Sequence, residues 1–503
     1  MRSDGRVERR REANGSPMES LTLDVERWAQ EQFGSCELGD RRRNVRLVKF
    51  ARQVAANPSA STPDQTRQWA DCKAAYRLMD CDDIEFGAIL APHCRQTRDR
   101  ASKTGRALLI HDKTEISFSA RRDPIEGLGP TGNNKRQGFY LHTALKIADE
   151  NQEILGLAGQ LLFYRKAAPK RRDGQRETVL HAKRRPRESE VWRRLIEQVG
   201  PAPAGQTFVH VCDREADNYE VFAQSVICGA GWIIRATQLH RKVRPVGQTD
   251  PDQPRSEKIT KIGDLLARQD FQEGYEVAVP ATKKAKARTA HVQLRWVSFW
   301  MPRPNPCSLW AKTNAPDFIL MTAVEVSETR PRRGVKPLRW VLYTRDAVAD
   351  AQAARRVAQD YARRPTIEDY HKGIKTGCQL EERQYGTAAR LERIAAVLSV
   401  VAVRLLQIRA IARVEPDRAA LDVAPQEWVS TLHQYAVSRS PKYAQRWTPA
   451  NWTVLEFMRR LAGLGGFLGR KGDGVPGWIT LWRGVSKLLL LIEGRQLGKK
   501  KCG

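Results

Sequence analysis

Arg106-Ala-Leu-Leu-Ile-His-Asp112 is the stretch on which the reading of the fold turns. Its unbroken apolar run reads as a buried strand that closes on a carboxylate. Upstream the period is helical. From Leu23 to about Arg100, Trp28, Phe33 and Leu38, then Leu47, Val48, Ala51 and Val54, recur at helix spacing. Downstream, Glu115–Phe118, Phe139–Ile147 and Ile154–Tyr164 read as further strands, with short turns between the first three strands. A helix from about Glu188 to Val199 leads to Thr207-Phe-Val-His-Val-Cys-Asp213, a second buried strand ending in Asp. Another helix, about Asn218–Cys228, leads to Gly231-Trp-Ile-Ile-Arg-Ala236. This order predicts a mixed α/β sheet. Reactive groups in open α/β sheets collect at the carboxyl ends of parallel strands, where Asp112 and Asp213 fall. Taken singly, an Asp closing an apolar strand is more often a turn former.

From Thr237 to Thr344 the pattern is β-rich, and a helix opening at Ala349 then leads into Tyr361-Ala-Arg-Arg-Pro-Thr-Ile-Glu-Asp-Tyr-His-Lys-Gly-Ile-Lys375. Pro365 suits the first turn of a helix, where its missing N–H costs nothing. Ile367, Tyr370 and Ile374 make an apolar stripe, and Glu368, Lys372 and Lys375 lie on a neighbouring one. By itself this is a solvated helix face with a Glu368–Lys372 pair. Helices follow at Leu391–Arg413, Trp452–Leu464 and Trp478–Ile492. The glycine cluster from Gly465 to Gly474 lacks the ending of a phosphate loop. The expected organisation is a disordered lead (1–20), a helical domain (21–100), an α/β core in two parts (101–236 and 346–413), a β-rich insertion (237–345) and a C-terminal helical domain (414–503).

The chain has 503 residues, with 86 Lys plus Arg against 57 Asp plus Glu, a formal +29. Such an excess along the whole length suits a polyanion, most commonly nucleic acid. Gly39-Asp-Arg-Arg-Arg-Asn-Val-Arg46 reads as a turn entering a helix, and Arg41, Arg42, Arg43 and Arg46 there suit DNA phosphates. The alternative is a solubilising basic surface. Lys166–Arg187 is a strongly basic stretch read as a mobile loop, in contact with DNA or simply solvated. The longest apolar run, Ile394–Val403, ends at Arg404 and is too short to span a bilayer, so no membrane is expected. The first residues have no apolar core of a secretory signal, and the nine cysteines show no zinc spacing, which points to a cytoplasmic protein. Asp112, Asp213 and Glu368 form a carboxylate trio of the kind two-metal phosphoryl transfer needs.

Tyr361-x2-Arg364-x3-Glu368-x6-Lys375 resembles the YREK signature of DDE-type cut-and-paste transposases of bacterial insertion sequences, most closely the Tn-five transposase branch of the IS-four superfamily. Ile110–Thr114 and Val211–Asp217 resemble the segments around that family's first two catalytic aspartates. His371–Gly377, Leu391–Ile394 with Val401–Gln407, Leu38–Arg46 and Leu464–Phe467 extend the likeness over about residues 25 to 495. The resemblance implies an RNase H-like catalytic core interrupted by a β-subdomain. Helical domains for DNA-end binding and for dimerisation would flank it. It implies that Asp112, Asp213 and Glu368 ligate two Mg²⁺, with Mn²⁺ able to substitute. Tyr361, Arg364 and Lys375, with Lys372 beside them, would grip DNA phosphate, and Trp340 would stack a flipped base. The implied partners are double-stranded transposon ends, target DNA and a second copy of the chain, at the bacterial nucleoid. Pro365 departs from the pattern, standing where relatives carry a bulky aromatic. The alternatives are an RNase H-like nuclease or resolvase that cuts without joining, and a DNA-binding protein without catalysis.

Overall fold

The computed structural model describes residues 24–118, 125–132, 136–165, 188–246, 259–279, 287–331, 333–439, 448–470, 473 and 476–500. The expected lead and the basic stretch Lys166–Arg187 lie outside them. The chain forms two compact units, one of residues 29–410 and the other of residues from 411 onward with 24–28.

The described chain opens with helices α1 (Val25–Phe33), α2 (Arg41–Ala56), α3 (Thr62–Thr66), α4 (Trp69–Met79) and α5 (Phe86–Asp99). The turn before α2 needs Gly39 at φ +75°, and the Asp40 side chain caps the helix by accepting from the Arg42 N–H. The apolar stripe of α2 is buried at Leu47, Phe50, Ala51 and Val54.

Then the period changes as expected. The strands are β1 (Arg106–Phe118), β2 (Gly129–Thr131), β3 (Arg136–Ala148), β4 (Ile154–Phe163), β5 (Thr207–Cys212), β6 (Gly231–Arg235), β7 (Lys242–Pro245), β8 (Thr260–Lys261), β9 (Gln272–Val279), β10 (Arg288–Pro302), β11 (Phe318–Glu328) and β12 (Arg339–Thr344). Among the described residues they form one sheet of order β2-β3-β1-β5-β6-β12-β11-β10-β7-β8, with β4 on β3 and β9 on β10. β1, β5 and β6 run parallel, while β3 and β12 flank them antiparallel. The expected β-rich insertion is thus continuous with the core sheet, joined through the β6–β12 ladder.

One expectation needs correction. Residues 106–112 and 115–118 are a single strand, and Asp112 sits inside it. Lys113-Thr114 offers no turn chemistry, so the chain simply continues. What ends near Asp112 is the parallel pairing. The β1–β5 ladder stops at Ile110 opposite Val211, and beyond it β1 pairs with β3 alone.

One sheet face packs α6 (Glu190–Val199) and α7 (Tyr219–Ile227) around Leu109, Phe208, Trp232 and Tyr343. Past α8 (Ile262–Ala267) and α9 (Leu309–Asn314), the other face receives α10 (Ala351–Ala362), α11 (Thr366–Lys372) and the long α12 (Ala388–Val414). The stripe Ile367, Tyr370 and Ile374 is fully buried, as its spacing predicts. Helix α12 runs through Arg404, which is buried, so the apolar segment is longer than the sequence suggests. By length and composition it could cross a membrane, yet 83% of its most apolar window is inside the protein, as in a core helix. The second unit adds α13 (Gln426–Arg439), α14 (Val454–Leu464) and α15 (Trp478–Lys500). Eight described cysteines are all free.

Ile367 anchors the helix that carries Glu368. Ile367→Ala is expected to destabilise the protein by about 2–5 kcal/mol in urea unfolding. A loss near zero would mean the stripe does not face the core.

Candidate active site

Strand register brings the first two carboxylates together. Ile110 pairs with Val211, and Val211 with Ile233. Two residues further along each strand, on the same face, stand Asp112, Asp213 and Arg235. Three neighbouring strands therefore present a row of two carboxylates and one guanidinium where the parallel ladder ends.

Glu368 joins them from α11. The three carboxylates surround the Arg364 guanidinium, at 3.0 Å for Asp112, 3.8 Å for Asp213 and 3.8 Å for Glu368. Arg364 lies in the joint between α10 and α11, where Pro365 is exposed and takes the N-cap position. Asp213 also caps a short 3₁₀ turn, accepting from the Glu215 N–H at 2.9 Å. That is the turn-former role weighed against catalysis, and the 3₁₀ turn shows Asp213 filling it.

Burial pushes the Asp112 carboxyl up to about 6; Arg364 opposes this, and Asp213 and Glu368 reinforce it. His371 Nδ1 stands 4.0 Å from Asp112, and burial holds its imidazole down to about 3, so it is neutral at physiological pH. Among the described residues no three His, Cys, Asp or Glu side chains form a ready-made metal cluster. The reason is electrostatic: three anions separate around the one cation among them. The donor set itself, three carboxylates turned toward a single positive centre, fits a hard divalent cation.

The other expected residues gather nearby, with differing freedom. Tyr361 is buried, its ring centroid 5.5 Å from that of Trp340 and its hydroxyl bonded by Arg235. Lys375 sits in a π-helical turn (Gly373–Gly377), 3.6 Å from Glu381. Lys372 is exposed and lies 3.7 Å from Asp369, so the i,i+4 pairing expected with Glu368 is not made. Far from these, Arg42 and Arg46 project from α2 into solvent, whereas Arg43 is held by the Leu38 carbonyl at 2.9 Å and Asp83 at 2.8 Å.

Sequence reasoning passed over Arg235 and His371. Arg235 carried a usable signal, since it closes β6 as Asp213 closes β5. His371 had none, because its closeness to Asp112 depends on how α11 docks.

With this geometry in place, comparison with known families becomes informative. Residues 25–84 match the family model described as transposase DNA-binding. Residues 400–502 match the transposase Tn5 dimerisation domain. Helical regions at both ends of the chain are thus of transposase type, and together they support a Tn5-type transposase with a DNA partner and a homodimeric form.

Arg42→Ala combined with Arg46→Ala is expected to weaken DNA binding and to flatten its log–log salt dependence by up to about two units. Arg43→Ala is expected to lower the melting temperature and leave that slope unaltered. An unchanged slope in the double variant would make Arg42 and Arg46 ordinary surface charge.

Proposed function

We propose that this protein is a DDE-type cut-and-paste DNA transposase with an RNase H-like core, working in the cytoplasm on the bacterial nucleoid. The observation that carries the reading is the in-register pair Asp112 and Asp213, met by Glu368 around Arg364. Strand order β4-β3-β1-β5-β6, antiparallel then parallel, supports the RNase H-like assignment. Asp112, Asp213 and Glu368 would hold two Mg²⁺, or Mn²⁺ in their place. The bound cations supply Lewis-acid activation of an attacking oxygen and charge neutralisation at the leaving one.

The chain's own residues account for the rest. Arg364 pairs with the carboxylates in the free protein and can exchange them for a DNA phosphate, since guanidinium serves either anion. Lys375 and the Tyr361 hydroxyl, oriented by Arg235, add fixed donors for a phosphate beside the cut. Trp340, packed on Tyr361, offers an aromatic surface for a base moved out of the stack. In this scheme water cuts one strand at the element end. The freed 3′-hydroxyl attacks the opposite strand to form a hairpin, water reopens it, and the 3′ end then attacks target DNA. The dimerisation match favours paired ends over a nuclease that cuts alone.

Glu368→Ala is expected to bind a duplex end as the unaltered protein does, while cleavage falls by about 10³-fold or more, on the order of 4 kcal/mol of transition-state stabilisation. Undiminished nicking by this variant would sink the catalytic assignment. Cleavage by the unaltered protein without any joined product, in gels containing target plasmid, would favour the nuclease.

A further inference from the structure

The segment that follows the catalytic helix does more than end it. After the π-helical turn carrying Lys375, Gln379 takes a left-handed conformation (φ +48°), and a 3₁₀ turn spans Leu380–Glu382. Two contacts tie this segment to the catalytic strand. The Glu381 carboxylate accepts from the Ser117 N–H of β1 at 2.9 Å and stands 3.6 Å from Lys375.

The next residues reach the other way. Arg383 is only 4% exposed, and its guanidinium bridges two parts of the fold. It donates to the Cys378 carbonyl at 2.7 Å on its own side. On the far side it donates to the carbonyls of Ala60, at 2.5 Å, and of Pro58. Those carbonyls belong to the turn that closes α2, the helix that presents Arg42 and Arg46 to solvent. Tyr385 adds a hydroxyl contact to Thr62 at 2.8 Å. A planar, many-donor cation is well suited to satisfying carbonyls from two elements at once. Helix α2 is a rigid rod about 24 Å long, so an anchor at its end fixes the direction of its DNA-facing side.

We infer that Arg383 is a positioning residue that transmits the register of end binding to the cleavage site. It locks the α2 end to the segment bearing Lys375, so the grip on the end decides which phosphodiester lies opposite Asp112. This inference rests on the end-cleaving reading above. A merely structural role would predict lost stability with an unmoved cut. A second anchor keeps the two parts together when Arg383 is changed. Arg393 of α12 donates to the Met79 and Ile84 carbonyls, both at 2.7 Å.

The test uses the full chain and labelled duplexes of the DNA on either side of its reading frame, with Mg²⁺. Binding is measured by mobility shift, and cuts are mapped to the nucleotide. The unaltered protein is expected to cut at one phosphodiester. Arg383→Gln is expected to bind within about twofold. Its nicks should spread over neighbouring positions, with the principal cut slowed about tenfold or more. Arg383→Lys should restore part of the single position, and Tyr385→Phe should spread the cut weakly. A single, unmoved cut by Arg383→Gln overturns the inference alone; should that variant not fold, an unmoved cut by Tyr385→Phe does so. No cut by the unaltered protein overturns the end-cleaving reading, and the inference with it.

Discussion

Everything around the candidate active site answers to one electrostatic constraint, the gathering of Asp112, Asp213 and Glu368 about Arg364. Like charges at about 4 Å repel by roughly 4 kcal/mol at an effective dielectric of about 20, and two of these carboxylates are partly withdrawn from water. One guanidinium cannot offset three anions. The imbalance surfaces in Asp112, whose carboxyl rises to about 6 despite Arg364 beside it. A site so arranged is poised for additional positive charge, which is the property that two-metal phosphoryl transfer exploits. Neutral His371 is part of the same design, since a second fixed cation would dilute the demand.

Holding such a cluster requires stiffness elsewhere, and α10 supplies it. Its last turns carry Asp360 and Arg363, which lie next to Tyr361 and Arg364 in the chain. Asp360 binds Arg106 at 2.8 Å, at the start of β1. Asp149, at the β3–β4 turn, accepts from Arg356 at 2.7 Å and Arg363 at 2.9 Å. Buried ion pairs add little net stability because desolvation consumes most of the attraction, but they tolerate only one geometry. Here they pin a helix to two strands. Lys146 does comparable work for α5, donating from the sheet to the carbonyls of Arg98 in its last turn and of Arg100 at its C-cap, at 2.9 and 2.7 Å.

How much of this was legible in the chain depends on the range of the interaction. Strand identity came from local apolar runs, and the burial of Ile367, Tyr370 and Ile374 came from spacing within one helix. The extent of β1 is not local in the same way: Asp112 marks a strand end only where a turn residue follows, and none does. Union of the β-rich stretch with the core sheet rests on β6 pairing with β12, about a hundred residues away, which no local period encodes. Arg43 looks identical to Arg42 in sequence. It differs because the Leu38 carbonyl and Asp83, 40 positions on, capture it. The carboxylate trio was legible as two Asp closing apolar runs and a Glu on a helix, while its convergence on Arg364 needed the register of neighbouring strands.

The spacing of Tyr361, Arg364, Glu368 and Lys375 itself has a physical reading that the structure sharpens. In a straight helix, residues at i, i+3, i+7 and i+14 fall on nearly one stripe, but that stripe would stretch over about 21 Å. Four groups so spread could not all serve one cleavage point. The chain breaks the helix twice, at the α10–α11 joint beside Pro365 and at the π-helical turn from Gly373 to Gly377. His371 feels the charges of both Arg364 and Lys375, so both cations lie near it. π-turns are rare and recur at functional sites because they re-aim side chains at the expense of backbone regularity. Pro365, with no N–H to offer, suits the joint as an uncapped helix start, where that donor would be unpaired in any case. Pro365 therefore falls at the first of the two points in the stretch where helical continuity is broken.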